Sequence, residues 1–181
     1  SQLAVGSLHA CVIVEKNVYC WGDNATGQLG TFDVTSSSTP LRVTGITTAT
    51  AVSAGYGHTC ALLEDKTVWC WGTNAQKQLG FASGSSSATP RQVAGLSNVT
   101  SIAMGYDFGC ALIGLPGGVM CWGQNGQAPQ LGRATTSSGD PDPSPDFVNQ
   151  LSSNVQSISI GMFFGCAVLV DATAKCWGEN F

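Results

Sequence analysis

One five-residue string recurs four times along the chain and restricts what the chain can fold into. The string is Cys-Trp-Gly-x-Asn, at residues 20–24, 70–74, 121–125 and 176–180. Before each copy lies a glycine that is followed five residues later by a second cysteine: Gly6 and Cys11, Gly55 and Cys60, Gly105 and Cys110, Gly161 and Cys166. These four landmark glycines are spaced 49, 50 and 56 residues apart. A fixed period in this range is the signature of a protein built from stacked repeats.

Two further signals follow the first three copies of the string. Gln-Leu-Gly stands at 28–30, 78–80 and 130–132, and a proline is followed three residues later by valine at 40–43, 90–93 and 145–148. We therefore expect one partial domain over 1–181, made of repeats at about 1–49, 50–99, 100–155 and 156–181, the last incomplete. The extra length of the third repeat lies in 127–129 and 139–145, which have the composition of loops.

Each repeat has the pattern of short β-strands. In the first repeat, apolar runs at 10–14 and 18–21 flank Glu15-Lys16-Asn17, which is typical of a hairpin, and two more short strands are expected around 41–43 and 51–54. No window sustains the 3.6-residue period of a helix. Four short antiparallel strands per repeat of about 50 residues predict the blade of an all-β propeller.

The repeat resembles that of the regulator of chromosome condensation family. The second repeat fits its pattern best, through Gly55, His58, Cys60, Ala61, Leu62, Val68, Trp71, Gly72, Asn74, Gln78, Leu79 and Gly80. The resemblance implies a β-propeller, usually with seven blades, of which this chain would supply about 3.5–4. Such an arc is expected either to be part of a longer protein or to be completed by another chain, and the first is preferred. The family histidine is kept at His9 and His58 but replaced by Phe108 and Phe164, and the paired cysteines point to secreted relatives rather than nuclear ones.

The eight cysteines predict four disulfides, one per hairpin. Cys11 and Cys20 flank the first hairpin symmetrically, and the same holds for Cys60 with Cys70, Cys110 with Cys121, and Cys166 with Cys176. Opposite positions on antiparallel strands lie close enough to be bridged. Bridges between repeats and free buried thiols remain alternatives. Disulfides persist in oxidising compartments, so an extracellular location is expected, secreted or on a cell surface.

Composition excludes several classes of function. Only 10% of residues are charged, the net charge is −4 and there are seven basic residues, which argues against nucleic-acid binding. No apolar run approaches the ~20 residues of a membrane helix. Sequons at Asn24 and Asn98 predict N-glycosylation in a eukaryotic source, with Asn98 favoured because it lies in a connection. The Ser/Thr/Pro-rich stretches 35–40, 83–90 and 135–145 are interpreted as outer loops able to carry sugars.

The side chains that could carry chemistry are interpreted as structural. His9 and His58 occupy a position that accepts phenylalanine, and no nucleophile–base pair or pair of carboxylates recurs near them, so no catalytic residue is expected. No metal or cofactor is expected either; the acidic run 140–146 lacks the glycine turn of a calcium loop and is interpreted as a solvated loop. The four motif tryptophans, at 21, 71, 122 and 177, should pack between blades, whereas Trp69 is expected to be exposed.

The positions that vary inside the repeat are the best candidates for binding. Residues 7–8, 56–57, 106–107 and 162–163 follow the landmark glycines, and differences between repeats at these positions free them from packing. Exposed aromatic residues on a loop are favoured interface anchors. The predicted contact set is Tyr56, Tyr106, Asp107, Met162 and Phe163, with packing near the propeller axis as the alternative.

Three functions are compatible with these features. The first is a non-enzymatic extracellular scaffold or adhesive protein that acts through a protein partner or self-association, within a larger assembly. The second is a dedicated secreted binder or inhibitor, and the third is a carbohydrate-binding module. Nucleotide exchange on a small GTPase, as in the nuclear family member, is not expected in a disulfide-bonded chain. The scaffold is preferred.

Overall fold

The computed structural model describes residues 2–126, 129–133 and 140–179, and every regular element among them is a β-strand. The strands are β1 Leu3–Val5, β2 His9–Val14, β3 Asn17–Asp23, β4 Ser36–Arg42, β5 Ala49–Ala54, β6 His58–Leu63, β7 Val68–Thr73, β8 Ser86–Gln92, β9 Val99–Met104, β10 Phe108–Gly114, β11 Gly117–Gly123, β12 Asp142–Phe147, β13 Val155–Ile160, β14 Phe164–Leu169 and β15 Ala174–Gly178. Within the described ranges, nothing forms a helix long and apolar enough to cross a bilayer.

The strands form antiparallel blades in chain order. β1 to β4 make one four-stranded sheet and β5 to β8 a second. β9 to β12 make a third, to which β13, β14 and β15 are joined only through the pair Gly117 and Val155. The all-β class and the partial propeller predicted from the repeat are confirmed, and the sheets do not close into a ring.

The first strand of each blade lies at the centre of the arc. β1, β5, β9 and β13 together line a central channel of ≈ 330 Å³. Polar side chains link neighbouring inner strands: the amide of Val52 donates to Gln2 Oε1 at 2.9 Å, and the amide of Met104 donates to Ser53 Oγ at 3.1 Å. The turns that leave these strands therefore gather at one end of the channel.

The hydrophobic core lies between adjacent blades rather than within one. Val18, Leu29 and Ile46 of the first blade pack with Trp71 of the second. The indole of Trp71 is fully buried and donates to the carbonyl of Gln28 at 2.9 Å. Trp122 and Trp177 donate in the same way, to Gln78 and Gln130 of the preceding blade. These contacts agree with the interpretation that the tryptophans pack blade on blade.

Two tryptophans differ from the expectation. Trp21 is only half-buried, because no described blade lies on its side of β3. Trp69, expected to be exposed, is partly buried against the core between the first two blades, and its indole donates to Thr67 Oγ1 at 3.1 Å. A position that occurs in one repeat only can still contribute to packing.

Each hairpin formed by the second and third strands of a blade carries one disulfide. Cys11 and Cys20 are direct partners in the ladder of β2 and β3, and their Cα atoms are 4.1 Å apart. The other bridges join Cys60 to Cys70, Cys110 to Cys121 and Cys166 to Cys176, in the same register. The predicted disulfide-bonded character is confirmed.

The interpretation of the Ser/Thr/Pro stretches as loops was wrong for residues 36–40, 86–90 and 142–145. Residues 36–42, 86–92 and 142–147 form the fourth, outermost strand of each of the first three blades. An outermost strand tolerates proline, which donates no ladder bond, and its solvent face needs no apolar residues. The acidic run 140–146, expected to be a solvated loop, likewise contributes β12; residues 134–139 and 127–128 lie outside the described residues.

Candidate interaction face

The turns between the first and second strands of the four blades come together at one end of the central channel. Each turn begins with a landmark glycine, because neighbouring atoms lie too close to this position to leave room for a side chain. A Cβ built on Gly55 would collide with the ring of His58 and lie 2.5 Å from the carbonyl oxygen of Gly105 in the next blade. The glycines thus allow successive turns to lie directly against one another.

Backbone hydrogen bonds hold these turns in place from two sides. Successive blades are linked by the amides of Ser7, Tyr56 and Tyr106, which donate to the carbonyls of Gly55, Tyr106 and Met162 at 3.2, 3.1 and 3.0 Å. Each turn is also fixed to its own blade, where the residue after Cys-Trp-Gly donates to the turn carbonyl: Asp23 to Leu8, Thr73 to Gly57, Gln124 to Asp107 and Glu179 to Phe163. The side chains on these turns are therefore presented by a rigid frame.

Three rings on the turns form an aromatic cluster, made of Tyr56, Tyr106 and Phe163. Tyr56 and Tyr106 stack with ring centroids 4.3 Å apart and planes inclined by 22°, and Tyr106 lies 5.5 Å from Phe163. Tyr56 is 36% exposed and the neighbouring Met162 is 53% exposed. The four apolar members of the predicted contact set thus lie together on one face and are in part accessible to solvent.

Asp107, the fifth member of the predicted contact set, lies on the same face but lines a groove between blades. It lines an inter-blade groove of ≈ 280 Å³ that is also bounded by Leu8, Asp23, Thr26, Tyr56 and Gln78. Gln78 Nε2 donates to Asp107 Oδ1 at 2.7 Å across the gap between the second and third blades. Burial raises the pKa of the Asp107 carboxyl above its ordinary value, although the Gln78 hydrogen bond opposes the shift.

The groove has a second carboxylate, which the sequence interpretation missed. Gln28 Nε2 donates to Asp23 Oδ2 at 2.6 Å within the first blade, whereas Gln78 and Asp107 belong to different blades. Asp23 occupies the variable position of Cys-Trp-Gly-x-Asn, so variation inside a fixed motif, the signal that selected Tyr56 and Tyr106, could have found it.

The two histidines lie beneath this face, buried between blades. His9 Nε2 is 2.7 Å from Thr59 Oγ1 of the second blade. In the third blade the position of Thr59 is occupied by Gly109, and neither ring nitrogen of the fully buried His58 has a hydrogen-bond partner among the residues that the structure describes. Burial lowers the pKa of His58 to about 3 and that of His9 to about 4, so both rings are neutral near pH 7.

The two sequons differ in accessibility. Asn24 is 2% exposed; its Nδ2 donates to the carbonyls of Thr31 and Val34, and its Oδ1 accepts from the amide of Leu29 at 2.9 Å. Its amide nitrogen is therefore occupied in the folded chain. Asn98 is exposed in the turn before β9. Asn180, which occupies the position of Asn24 in the fourth repeat, lies outside the described residues.

The described residues contain no cluster of three or more histidine, cysteine or acidic side chains that could hold a metal ion. A concavity of ≈ 820 Å³ is on the open side of the fourth blade beside Phe164, Cys176 and Trp177. The equivalent sides of the preceding blades are covered by the next blade: Phe108 is fully buried, whereas Phe164 is 46% exposed. This concavity is an uncovered packing surface, and we do not assign a ligand to it.

Comparison with known proteins agrees with this architecture. Two models of the regulator of chromosome condensation (RCC1) repeat match the chain, one over residues 16–62 and 65–112 and the other over 1–28 and 49–78. No curated protein sequence matches.

Several solved structures share the fold. Human WBSCR16 is 22% identical with a TM-score of 0.83, over 99% of this chain and 48% of its own. Yeast RCC1 (Prp20), solved with Kap60, is 24% identical with a TM-score of 0.82, over 98% of this chain and 43% of its own. The ectodomain of the Physcomitrella patens receptor kinase CR4 is 20% identical with a TM-score of 0.60, over 99% and 38%. The chain thus spans less than half the length of these structures.

Proposed function

Because the chain belongs to the regulator of chromosome condensation (RCC1) repeat family, whose fold serves as a scaffold for protein interactions, we propose that it is a non-enzymatic, extracellular protein-binding scaffold. We propose that it binds its partner through the face that carries the aromatic cluster and Met162. The observation that carries this proposal is the stacking of Tyr56 on Tyr106, with Phe163 and Met162 beside them, on turns fixed by backbone hydrogen bonds.

Physical reasons favour this face over the rest of the surface. A few residues carry most of the binding energy in protein interfaces, and tyrosine is enriched among them. The rigid turns reduce the entropy lost on binding, because the side chains are ordered beforehand. Among the structural relatives, yeast RCC1 (Prp20) was solved bound to Kap60 and has been described with its binding to Gsp1p and histones. Binding of a protein partner by this fold therefore has a precedent.

The proposed location rests on the disulfides. Four bridges in 181 residues suit an oxidising environment, and one structural relative is the ectodomain of a receptor kinase. We propose that Asn98 is the glycosylated sequon where the host modifies asparagine, since the Asn24 amide is buried and bonded. Mass spectrometry of a non-reduced digest of the secreted protein tests both points: it should show four bridges within hairpins and a glycan on Asn98 alone.

The binding face is tested with peptides selected from a display library on the immobilised protein. Tyr106→Ala should weaken the selected peptides about tenfold or more without lowering the melting temperature, the cost expected for an interface anchor. Phe32→Ala is the matched control, because Phe32 is a 63% exposed aromatic residue that belongs neither to the aromatic cluster nor to the lining of the groove. If the selected peptides bind the Tyr106→Ala and Tyr56→Ala variants as tightly as the parent protein, the proposed face is refuted.

A further inference from the structure

The inter-blade groove has a chemical character that differs from that of the aromatic cluster beside it. Two carboxylates, Asp23 and Asp107, reach it from the first and third blades. Each has one oxygen engaged by a buried glutamine, Gln28 on Asp23 Oδ2 and Gln78 on Asp107 Oδ1. The glutamine bonds orient both carboxylates.

Positive charge is missing from this groove. Of the residues that line it, all within the described part of the chain, none is lysine, arginine or histidine. The described ion pairs join Lys16 to Glu64 and Arg133 to Asp142, so neither groove carboxylate is neutralised by a basic side chain. Asp107 is partly desolvated by its surroundings, and a partly buried carboxylate without a cation is costly. A bound cation would remove this cost.

The wall of the groove suits the stem and the head of a long basic side chain. Tyr56 lines the groove and belongs to the aromatic cluster as well, so the two features are continuous. Leu8 provides an apolar surface, and Thr26 closes one side through a 3.2 Å hydrogen bond from its Oγ1 to the carbonyl of Gly57. A cation near a tyrosine ring gains cation–π attraction, and the methylene groups of lysine or arginine pack on apolar atoms.

We propose that the inter-blade groove binds a lysine or arginine side chain of the protein partner while the rest of that segment covers the aromatic cluster. The cation lies between the carboxylates of Asp23 and Asp107, and its stem lies along Leu8 and Tyr56. The inference rests on the proposed function, since it names the chemistry of the partner that the same face binds.

The probes are n-butylguanidinium and n-butylammonium chloride, which carry the two basic head groups on a short stem. Backbone amides of Thr26, Gly57 and Thr73 report binding in NMR titrations, with n-butanol and sodium butyrate as neutral and anionic controls. We expect saturable shifts in the millimolar range for the cations only. Asp107→Asn should weaken them about tenfold, because it removes a charge-assisted contact and keeps the shape of the side chain. Asp33→Asn, which removes an exposed carboxylate from an outer loop, should leave them unchanged.

Two results overturn the inference: no saturable shift at these amides with either cation, or equal affinity in Asp107→Asn and the parent protein. The peptides selected on the whole protein separate this failure from failure of the proposed function. Peptides that need Tyr106 but bind Asp107→Asn normally refute the groove assignment alone. Peptides that bind Tyr106→Ala as tightly as the parent protein refute the proposed face. The cation titration still gives an independent result for the groove.

Discussion

Replacing His58 by phenylalanine should make the protein more resistant to acid. His58 is fully buried, both of its ring nitrogens lack partners within the described part of the chain, and its pKa in the folded chain is lowered to about 3. In the unfolded chain the same ring titrates near 6.5. Phenylalanine already stands at the equivalent position of the next repeat, where Phe108 is fully buried, so the site accepts a ring without nitrogen atoms.

The direction of the pH effect follows from the two pKa values. Above pH 6.5 both states hold a neutral ring, so the stability associated with His58 is fully present. As the pH falls from about 6.5 towards 3, the unfolded chain binds a proton that the folded chain does not, and the free energy of unfolding falls. The loss approaches about 1.4 kcal/mol per pH unit and amounts to roughly 2 kcal/mol at pH 5. His9, with a folded pKa of about 4, should lose roughly the same amount by pH 5.

The assay is equilibrium urea unfolding at pH 8, 7, 6 and 5, followed by tryptophan fluorescence with the disulfides intact. Between pH 8 and 5 the free energy of unfolding of His58→Phe should fall by about 2 kcal/mol less than that of the parent protein. The shifted carboxyls, Asp107 among them, are common to both proteins and cancel in this difference. His9→Phe is the matched second variant, and its free energy of unfolding should likewise fall by about 2 kcal/mol less than that of the parent protein between pH 8 and 5. Identical pH dependence in the parent protein and His58→Phe would refute the view that a neutral, desolvated ring lies between the blades.

Three further outcomes are expected in the same unfolding assay. Trp71→Ala should cost about 3–5 kcal/mol because the indole is fully buried, whereas Trp21→Ala, at the half-buried copy of the site, should cost clearly less; equal costs would contradict the packing described. Gly55→Ala should destabilise by about 2 kcal/mol or more, since its methyl group has no space beside the next turn, and a neutral effect would disprove the close approach. Replacing Cys60 and Cys70 by serine should lower stability by about 2–3 kcal/mol through the unfolded chain, and an unchanged urea midpoint would exclude this role.

The sequence predicted the features that depend on local spacing. The hairpins follow from apolar runs around short turns, and the disulfide of Cys60 and Cys70 follows from their symmetry about such a turn. Of the first outermost strand, only the end was predicted, as the strand expected around 41–43. Ser36–Arg42 carries neither an apolar run nor regular alternation, because its position at the edge of a blade requires no buried face.

The candidate site was predictable only in part, because its parts come from different blades. Variation within the repeat selected Tyr56 and Tyr106, but their stacking depends on how one blade packs on the next. The groove depends still more on that packing, since Asp23 and Asp107 are brought to it from the first and third blades. No local pattern in the sequence encodes the angle between blades, and this angle decides which turns share a face.

The disulfides have a mechanical consequence when the chain is stretched. Each bridge joins neighbouring strands of one blade, and its two cysteines are 9 to 11 positions apart in the sequence. An extended chain spans about 3.5 Å per residue, so each intact bridge withholds roughly 30 Å of length when its blade is stretched. A chain of this construction should therefore extend in shorter steps when its disulfides are intact than after they are reduced. The redox state of the cysteines then determines how far the chain can be stretched.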